Sequence, residues 1–521
     1  MDFWKLKLLR DKFGIGWLDR LILLLGVAAF AVFILTFAIV IQTGGLETRV
    51  FGIKFRVHSV NFALLITSIS CIIWLNRNRL SQIDLKWAWF VAAGFALIIS
   101  ILKVLQFEHY VSTGYDLGIR ANILYNIFAH SDVWDSLNWS HGFSGHFWPA
   151  AYPLSLLYHI WLNPKILLIA QTVALAAVPP IIAIILKRKG IDRTSGWLII
   201  WLWCVNYYLH RMSAFDFHPE VLATPLFLLA LHWLDTGKIG WAALMLAISL
   251  TLKEDVSVGM ASIGLYFLIF DKRRKALGIS MIILSGLYFV FAITEIYRHG
   301  RLLESVALNY GSDKVLSIKK IEVAIRYFAT FGFLPLLMPK LLVMLALPFA
   351  EHILNTWPMH YRLYGQYVAL LLPVSIFITI EAVKRLGNRA LPLILLGILT
   401  SSLAFPYKVY LPLKRVQGAK KRYLDRFVES IPPEMPLAAG NHITPHLALR
   451  RNTYQIPTLR DAQMVIVDTS WHDYTPMRRQ EGERFIDSII KSPDWQLVSD
   501  SFGVLVIQKI GREGFGTEGY R

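Results

Sequence analysis

The chain has only two cysteines in 521 residues, Cys71 and Cys204, and both sit inside apolar runs, where a thiol packs as a small hydrophobe. That excludes a disulfide framework and a thiolate metal site. Acidic residues are also scarce, 35 against 53 lysines and arginines, for a formal charge of +18. In a soluble domain this excess would suggest nucleic acid. Here the basic residues stand in short blocks between apolar runs, as in the cytoplasmic turns of membrane proteins, so no nucleic-acid partner is expected. The chain also lacks a Gly-rich phosphate fingerprint, an internal repeat and a low-complexity tract. No small-residue cleavage site follows the first apolar run, which is therefore expected to remain as a span.

What the chain does have is apolar length. Hydrophobic residues make up 55% of it, the mean hydropathy is +0.49, and apolar runs of about twenty residues recur, enough for a ~30 Å hydrocarbon core. The expected fold is mainly α, a polytopic membrane protein of about thirteen spans. These fall near 18–42, 57–76, 87–107, 165–186, 195–210, 219–234, 277–294, 364–381 and 389–405, with two short spans in 240–270 and two in 322–355 turning at Lys340. Lys5, Lys7, Arg10 and Lys12 place the N-terminus in the cytoplasm, and the blocks at Lys187-Arg188-Lys189, 271–275 and Lys384-Arg385 mark further cytoplasmic turns. Arg49, Lys54 and Arg56 run against this parity. As one helix, 240–270 would carry Lys253, Glu254 and Asp255 near mid-membrane at about 2.5–3.5 kcal/mol each, which is why it is divided.

The segment 108–149 is rich in Trp, Tyr, Asn and His and suits short interfacial helices. A further outer loop, 295–320, carries Arg298, His299, Arg301 and Glu304. From 406 onward the apolar runs shorten to strand length, at 464–468, 495–500 and 504–508. Residues 478–491 have helical spacing, with Phe485, Ile486, Ile489 and Ile490 on one side. The expected division is thus 1–86, a two-helix addition; 87–405, the membrane core; and 406–521, a small extracytoplasmic α/β domain of about a hundred residues.

The parity brings four polar clusters to the outer face: Asp116 in TGYDLGIRAN, the Asp216/His218/Glu220 hinge, Lys253-Glu254-Asp255, and His360-Tyr361-Arg362. Carboxylates there suit a base or a metal, and Lys, His and Arg suit a phosphate. Each also has a plain structural explanation. Asp116 fits an ordinary loop aspartate, and DFHPE fits a helix start with Pro219 at its first position. Lys253-Glu254-Asp255 fits a charged turn, and His360 and Arg362 fit interfacial anchors. His141 and His146, five apart, are weakly compatible with a metal, and Asn138-Trp139-Ser140 matches a glycosylation acceptor pattern that is common by chance. Tyr115 and His146 complete the outer-loop candidates.

YDLG at 115–118, HFWP at 146–149, DFHPE at 216–220, LKED at 252–255, HY at 360–361 and NHITPHLALR at 441–450 together resemble a prokaryotic family of uncharacterised multi-spanning proteins. That family is grouped with the GT-C superfamily of integral-membrane glycosyltransferases. The resemblance runs from about residue 108 to about 470 and leaves out the first two spans. It implies a polyprenyl-phosphate or diphosphate sugar donor, a glycan, lipid or protein acceptor, and transfer on the outer face of the cell membrane. Asp116 fits the essential acidic residue of the first large outer loop, acting as general base. Lys253 and His360, then Arg362, would stabilise the leaving phosphate. Asp216, His218 and Glu220, with Glu254 and Asp255, would bind sugar hydroxyls or a divalent cation such as Mg or Mn. No DxD accompanies Asp116, whose neighbours are Tyr115 and Leu117, and this weakens the case for a metal. Two other classes compete: a lipid or sugar-lipid transporter, and a non-catalytic envelope-assembly protein. A transporter commonly shows polar clusters at both faces and a repeat between halves, and this sequence shows neither.

Overall fold

The computed structural model describes residues 84–300, 317–406, 408–410 and 416–510, with scattered positions before residue 84. The two spans expected near 18–42 and 57–76 therefore lie almost wholly outside the described residues, as do Cys71, Arg301 and Glu304. Near the N-terminus the described residues include an antiparallel hairpin, β1 (Leu46–Val50) with β2 (Ile53–Val57).

The architecture is mainly helical. Four helical stretches among the described residues are long and apolar enough to cross a membrane: Leu85–Glu108, Lys165–Lys189, Lys272–His299 and Gly365–Leu403. The first begins where the Asp84 carboxylate accepts the Lys86 N–H at 2.9 Å, a side-chain N-cap. Ala88, Ala92, Ile99 and Leu102 on it are buried, whereas Trp87, Phe90, Leu97 and Ile101 are exposed. A helix apolar on every side suits lipid on one face and protein on the other.

Several expected spans are broken helices. The run at 165–186 is Lys165–Ala176 followed by Val178–Lys189, with Pro179 and Pro180 in the first turn of the second piece, where a missing N–H costs little. The run at 195–210 is Arg193–Val205 and then Tyr207–Ser213. Asn206 divides it because its side chain accepts from the Tyr208 and Leu209 N–H groups. The expected break in 240–270 is present, with Ile239–Leu250 and Val256–Phe270 flanking the charged turn. In 322–355 the turn lies between Ala329 and Pro339, where Gly332 takes φ +59°. Lys340, the expected turn, is instead in the first turn of Pro339–Leu354, a helix started by its proline.

The 108–149 segment is also more than interfacial helices. A helical turn, Gly114–Gly118, leads into the helix Ile119–His130, and a two-stranded ribbon follows, β3 (Trp134–Asp135) with β4 (Ser140–His141). Near the C-terminus β5 (Leu437–Ala439), β6 (Thr453–Gln455), β7 (Met464–Asp468), β8 (Trp495–Ser501) and β9 (Val504–Lys509) form one sheet in the order β6-β5-β7-β9-β8. β5 is parallel to β6 and β7, and β9 is antiparallel to β7 and β8. Alternate residues of the central strands face opposite ways. Leu437, Ala439, Met464 and Ile466 pack with Leu424 and Phe427 of the helix Gly418–Ser430. Ala438, Val465 and Val467 pack with Ile486 and Ile489 of the helix Arg479–Ile490. Both sheet faces are covered, so β7 reads as an apolar run from Met464 to Val467. Tyr110, two residues beyond the Leu85–Glu108 helix, is buried in the first of these cores.

The Val256–Phe270 and Lys275–His299 helices pack through Gly264 and Gly278. A Cβ on Gly278 would lie 2.6 Å from the Gly264 carbonyl oxygen, the close backbone approach that small residues permit in membranes. Gly278→Leu is therefore expected to lower stability by about 1–3 kcal/mol through overpacking. Gly286→Leu, on the same helix with open space around it, is expected to leave the melting temperature in detergent unchanged.

Candidate active site

Asp116 lies in the turn Gly114–Gly118, which is wound as a π-helix and closed by the Gly118 N–H donating to the Thr113 carbonyl at 3.0 Å. Such wide turns recur at functional sites. The Thr113 hydroxyl sits between two carboxylates, 3.1 Å from Asp116 Oδ2 and 3.2 Å from Asp216 Oδ2, and the Thr113 N–H donates to Asp216 at 2.8 Å. The other Asp116 oxygen, Oδ1, faces His218 Nε2 at 3.4 Å. His218 is oriented by contact of its Nδ1 with the Asp216 carbonyl at 3.1 Å and by its N–H donating to Gln171 at 2.8 Å. Burial works to raise the Asp116 pKa, but the hydrogen bond and charge of His218, then Arg120 and Thr113, outweigh it and hold the carboxyl below the usual carboxylate range. The side chain keeps 23% of its surface exposed, so it is ionised and reachable.

Behind Asp216 stands Lys103. Its ammonium lies 3.5 Å from Asp216 Oδ1 and donates to Gln106 Oε1 at 3.0 Å and to the Ala214 carbonyl at 2.8 Å. At 2% exposure this charge depends on such partners.

A second group forms where the charged break meets the hinge. Lys253 Nζ lies 3.0 Å from Glu220 Oε1 and 2.8 Å from Asp255 Oδ2. Glu254 turns the other way, its Oε1 2.7 Å from His146 Nδ1 and its Oε2 accepting the Phe147 N–H at 3.0 Å. The HFWP and LKED segments thus meet, joined also by the Ala150 N–H donating to the Thr251 carbonyl at 2.9 Å. His360 stacks near Tyr367 with ring centroids 3.8 Å apart. Burial, and next the charge of Lys253, push its imidazole down to about 3, leaving it a neutral donor or acceptor.

These contacts place each expected site residue. Asp216, His218 and Glu220 do not form one ligand set: they turn respectively to Thr113 and Lys103, to Asp116, and to Lys253. His141 stacks on His299, with centroids 3.7 Å apart, whereas His146 goes to Glu254. Among the described residues no three His, Cys, Asp or Glu side chains gather as a metal site. The described residues thus offer no such ligand set, and no step is assigned to a cation. Lys253 is engaged by two carboxylates, those of Glu220 and Asp255. Arg362 is exposed and touches the Tyr361 ring, 5.9 Å away, rather than the clusters. Tyr115, 47% exposed, contributes its backbone: its carbonyl accepts from Arg120 at 3.0 Å.

Thr113, Lys103, Arg211 and Asn441 had no assigned role in the sequence, although Asn441 opens the NHITPHLALR stretch. The Arg211 guanidinium lies 4.0 Å from the Tyr364 ring centroid, and Phe215 links Tyr364 to His218 at centroid distances of 5.6 and 5.2 Å. Arg211 donates to the Tyr207 hydroxyl and pairs with no carboxylate among the described residues.

Apolar helices whose broken ends carry a shared polar centre define a multi-spanning membrane protein. The chain belongs to the family described as predicted membrane protein (DUF2079), whose model matches residues 107–506. No curated protein matches it. Among solved structures it is similar to ArnT from Cupriavidus metallidurans bound to undecaprenyl phosphate, at 11% identity and a TM-score of 0.49 over 80% of this chain and 97% of that one. The apo state of the same protein gives 11% and 0.45 over 80% and 98%. At these values the likeness assigns no activity to this chain.

Asp216→Ala removes the carboxylate beside buried Lys103 and is expected to cost about 3–5 kcal/mol, the scale of a broken buried pair. Arg362→Ala, at the exposed edge, should stay within about 0.5 kcal/mol. Thermal unfolding of both variants in detergent checks the contrast.

Proposed function

We propose that this protein is a GT-C-like glycosyltransferase. It moves a sugar from a polyprenyl-phosphate-linked donor to an acceptor hydroxyl at the outer face of the cell membrane, with the N-terminus cytoplasmic and the division at 86/87 and 405/406 as read from the sequence. The observation that carries this reading is the Asp116 carboxylate, ionised and accessible, fixed by Thr113 on one oxygen and His218 on the other. The sequence resemblance supplies the reaction class.

In this mechanism Asp116 takes the proton of the acceptor hydroxyl as its oxygen attacks the anomeric carbon. The bond from that carbon to the phosphate oxygen breaks, and the electron pair leaves with the polyprenyl phosphate. His218 stabilises Asp116 before the transfer and holds its orientation. Cationic and donor groups must meet the leaving phosphate. Arg211 fills this role better than Lys253, because its charge is not matched by a carboxylate. His360 supplies a neutral donor and Arg362 a cation at the rim. Lys253 instead organises Glu220 and Asp255, which with Glu254 accept from sugar hydroxyls.

The test is binding and turnover in lipid, using polyprenyl phosphate and a panel of polyprenyl-phosphate sugars. Asp116→Asn is expected to bind lipid phosphate normally and to lose turnover by about 10²–10⁴-fold. Arg211→Ala is expected to weaken lipid-phosphate binding. If wild type binds no lipid phosphate, the reading fails and the transporter and assembly alternatives take its place. Because the depressed Asp116 pKa leaves the base ionised until low pH, the acid limb of the rate profile should fall below the ordinary aspartate value of 3.8. A limb near neutrality would assign the base elsewhere.

A further inference from the structure

We propose that Asn441, backed by Asp473, is a positioning residue for Asp116, so that the C-terminal sheet completes the active site. The first N–H groups of any helical turn have no partner within it and need an acceptor from outside. Thr113 occupies the N-cap of the Asp116 turn and is the right residue type to supply one. It makes no side-chain cap bond, because its hydroxyl is committed to Asp116 and Asp216.

Asn441 takes over that task from 326 positions away in sequence. Its carbonyl accepts the Gly114 N–H at 2.6 Å and its Oδ1 accepts the Tyr115 N–H at 3.1 Å. Gln455 also donates to Oδ1 at 3.3 Å, and the Asn441 Nδ2 donates to Asp473 Oδ2 at 3.1 Å. Both contacts agree on which way the amide points. Asp473 is itself fixed: His442 Nε2 lies 2.8 Å from its Oδ2, and the Thr475 N–H and hydroxyl donate to its Oδ1 at 3.1 and 2.7 Å. His442 Nδ1 reaches the Ser112 carbonyl at 3.3 Å.

The seat is close. A Cβ on Gly114 would lie 2.5 Å from Gln455 Oε1 and 2.7 Å from the Thr444 Cβ, so the turn fits only as glycine at that point. The backbone of 112–115 is thus held from just past the C-terminal end of β5, while the Asp116 carboxylate meets Thr113 and His218. Nothing in this arrangement touches the reacting atoms. Its effect is to fix the direction of the carboxylate, and orientation of a reacting group is a large part of catalysis.

The catalytic part of this inference rests on the transferase reading; the capping part does not, and amide hydrogen exchange on the full-length protein in lipid separates them. N441A is expected to speed exchange at the Tyr115 amide about tenfold, the scale of one lost hydrogen bond, with β7 and β9 amides unchanged. N441D keeps an acceptor for Tyr115 but sets two carboxylates against each other. Adding D473N restores a donor, so the double variant should recover the protection that N441D loses. In a sugar-transfer assay N441A should lower kcat and leave the donor KM unchanged. Unchanged Tyr115 exchange in N441A, or a double variant no better protected than N441D, overturns the proposal. Should N441A unfold the sheet, as β7 and β9 exchange would reveal, the comparison of N441D with the double variant decides. Protection that responds as expected, together with no sugar transfer by wild type, leaves the cap standing and removes the transferase reading.

Discussion

A buried ammonium with no carboxylate beside it costs several kcal/mol, and the candidate site depends on how this chain meets that constraint at Lys103. The partner it recruits is Asp216, and the same carboxylate receives the Thr113 N–H. One aspartate therefore ties the end of the Leu85–Glu108 helix, the hinge before Ala223 and the start of the Asp116 turn. Its own carbonyl then orients His218, which faces Asp116. The orientation of Asp116 thus follows from the neutralisation of a buried lysine.

The same economy governs where polar groups occur. Helix interiors in lipid satisfy their own backbone, so charged side chains are tolerated where the helix breaks. The breaks at Ala214–Leu222, Thr251–Asp255 and Asn355–Leu370 are those places, and the charged residues of the first two pair with other side chains, whereas Arg362 in the third is exposed. Lys253 with Glu220 joins two of the breaks. His360, whose charge is suppressed by burial and then by Lys253, brings in the third.

Patterns that depend on local sequence were readable. The strands at 464–468 and 504–508 and the helix at 479–490 lie where apolar runs of strand length and a 3.6-residue period put them. The break at Lys253 followed from the cost of charge in a membrane. The split at Asn206 was not readable, because a single capping side chain in an apolar run leaves no periodic trace. β5 and β6, three residues each, are too short to register. At the site, the sequence brought Asp116, His218, Glu220 and Lys253 into consideration but neither how they pair nor the parts of Thr113 and Lys103. Pairing is set by long-range packing: Lys103 precedes Asp216 by more than a hundred residues, and nothing in its apolar helix marks it as more than a snorkelling cation. Asp216, His218 and Glu220, close in sequence, turn to separate partners for a related reason. The bend at Pro219 sends neighbouring side chains in different directions.

The distance in sequence between the Asp116 turn and Asn441 also bears on biosynthesis. Chains emerge N-terminus first, and the turn is made long before the strand that caps it. Until β5 exists and has paired with β7, the Gly114 and Tyr115 amides lack their acceptors and the carboxylate lacks a fixed bearing. A half-made chain would hold its membrane helices and its acidic residue, yet not the finished site. Such an order of assembly leaves the Asp116 turn uncapped until the C-terminal sheet has been made.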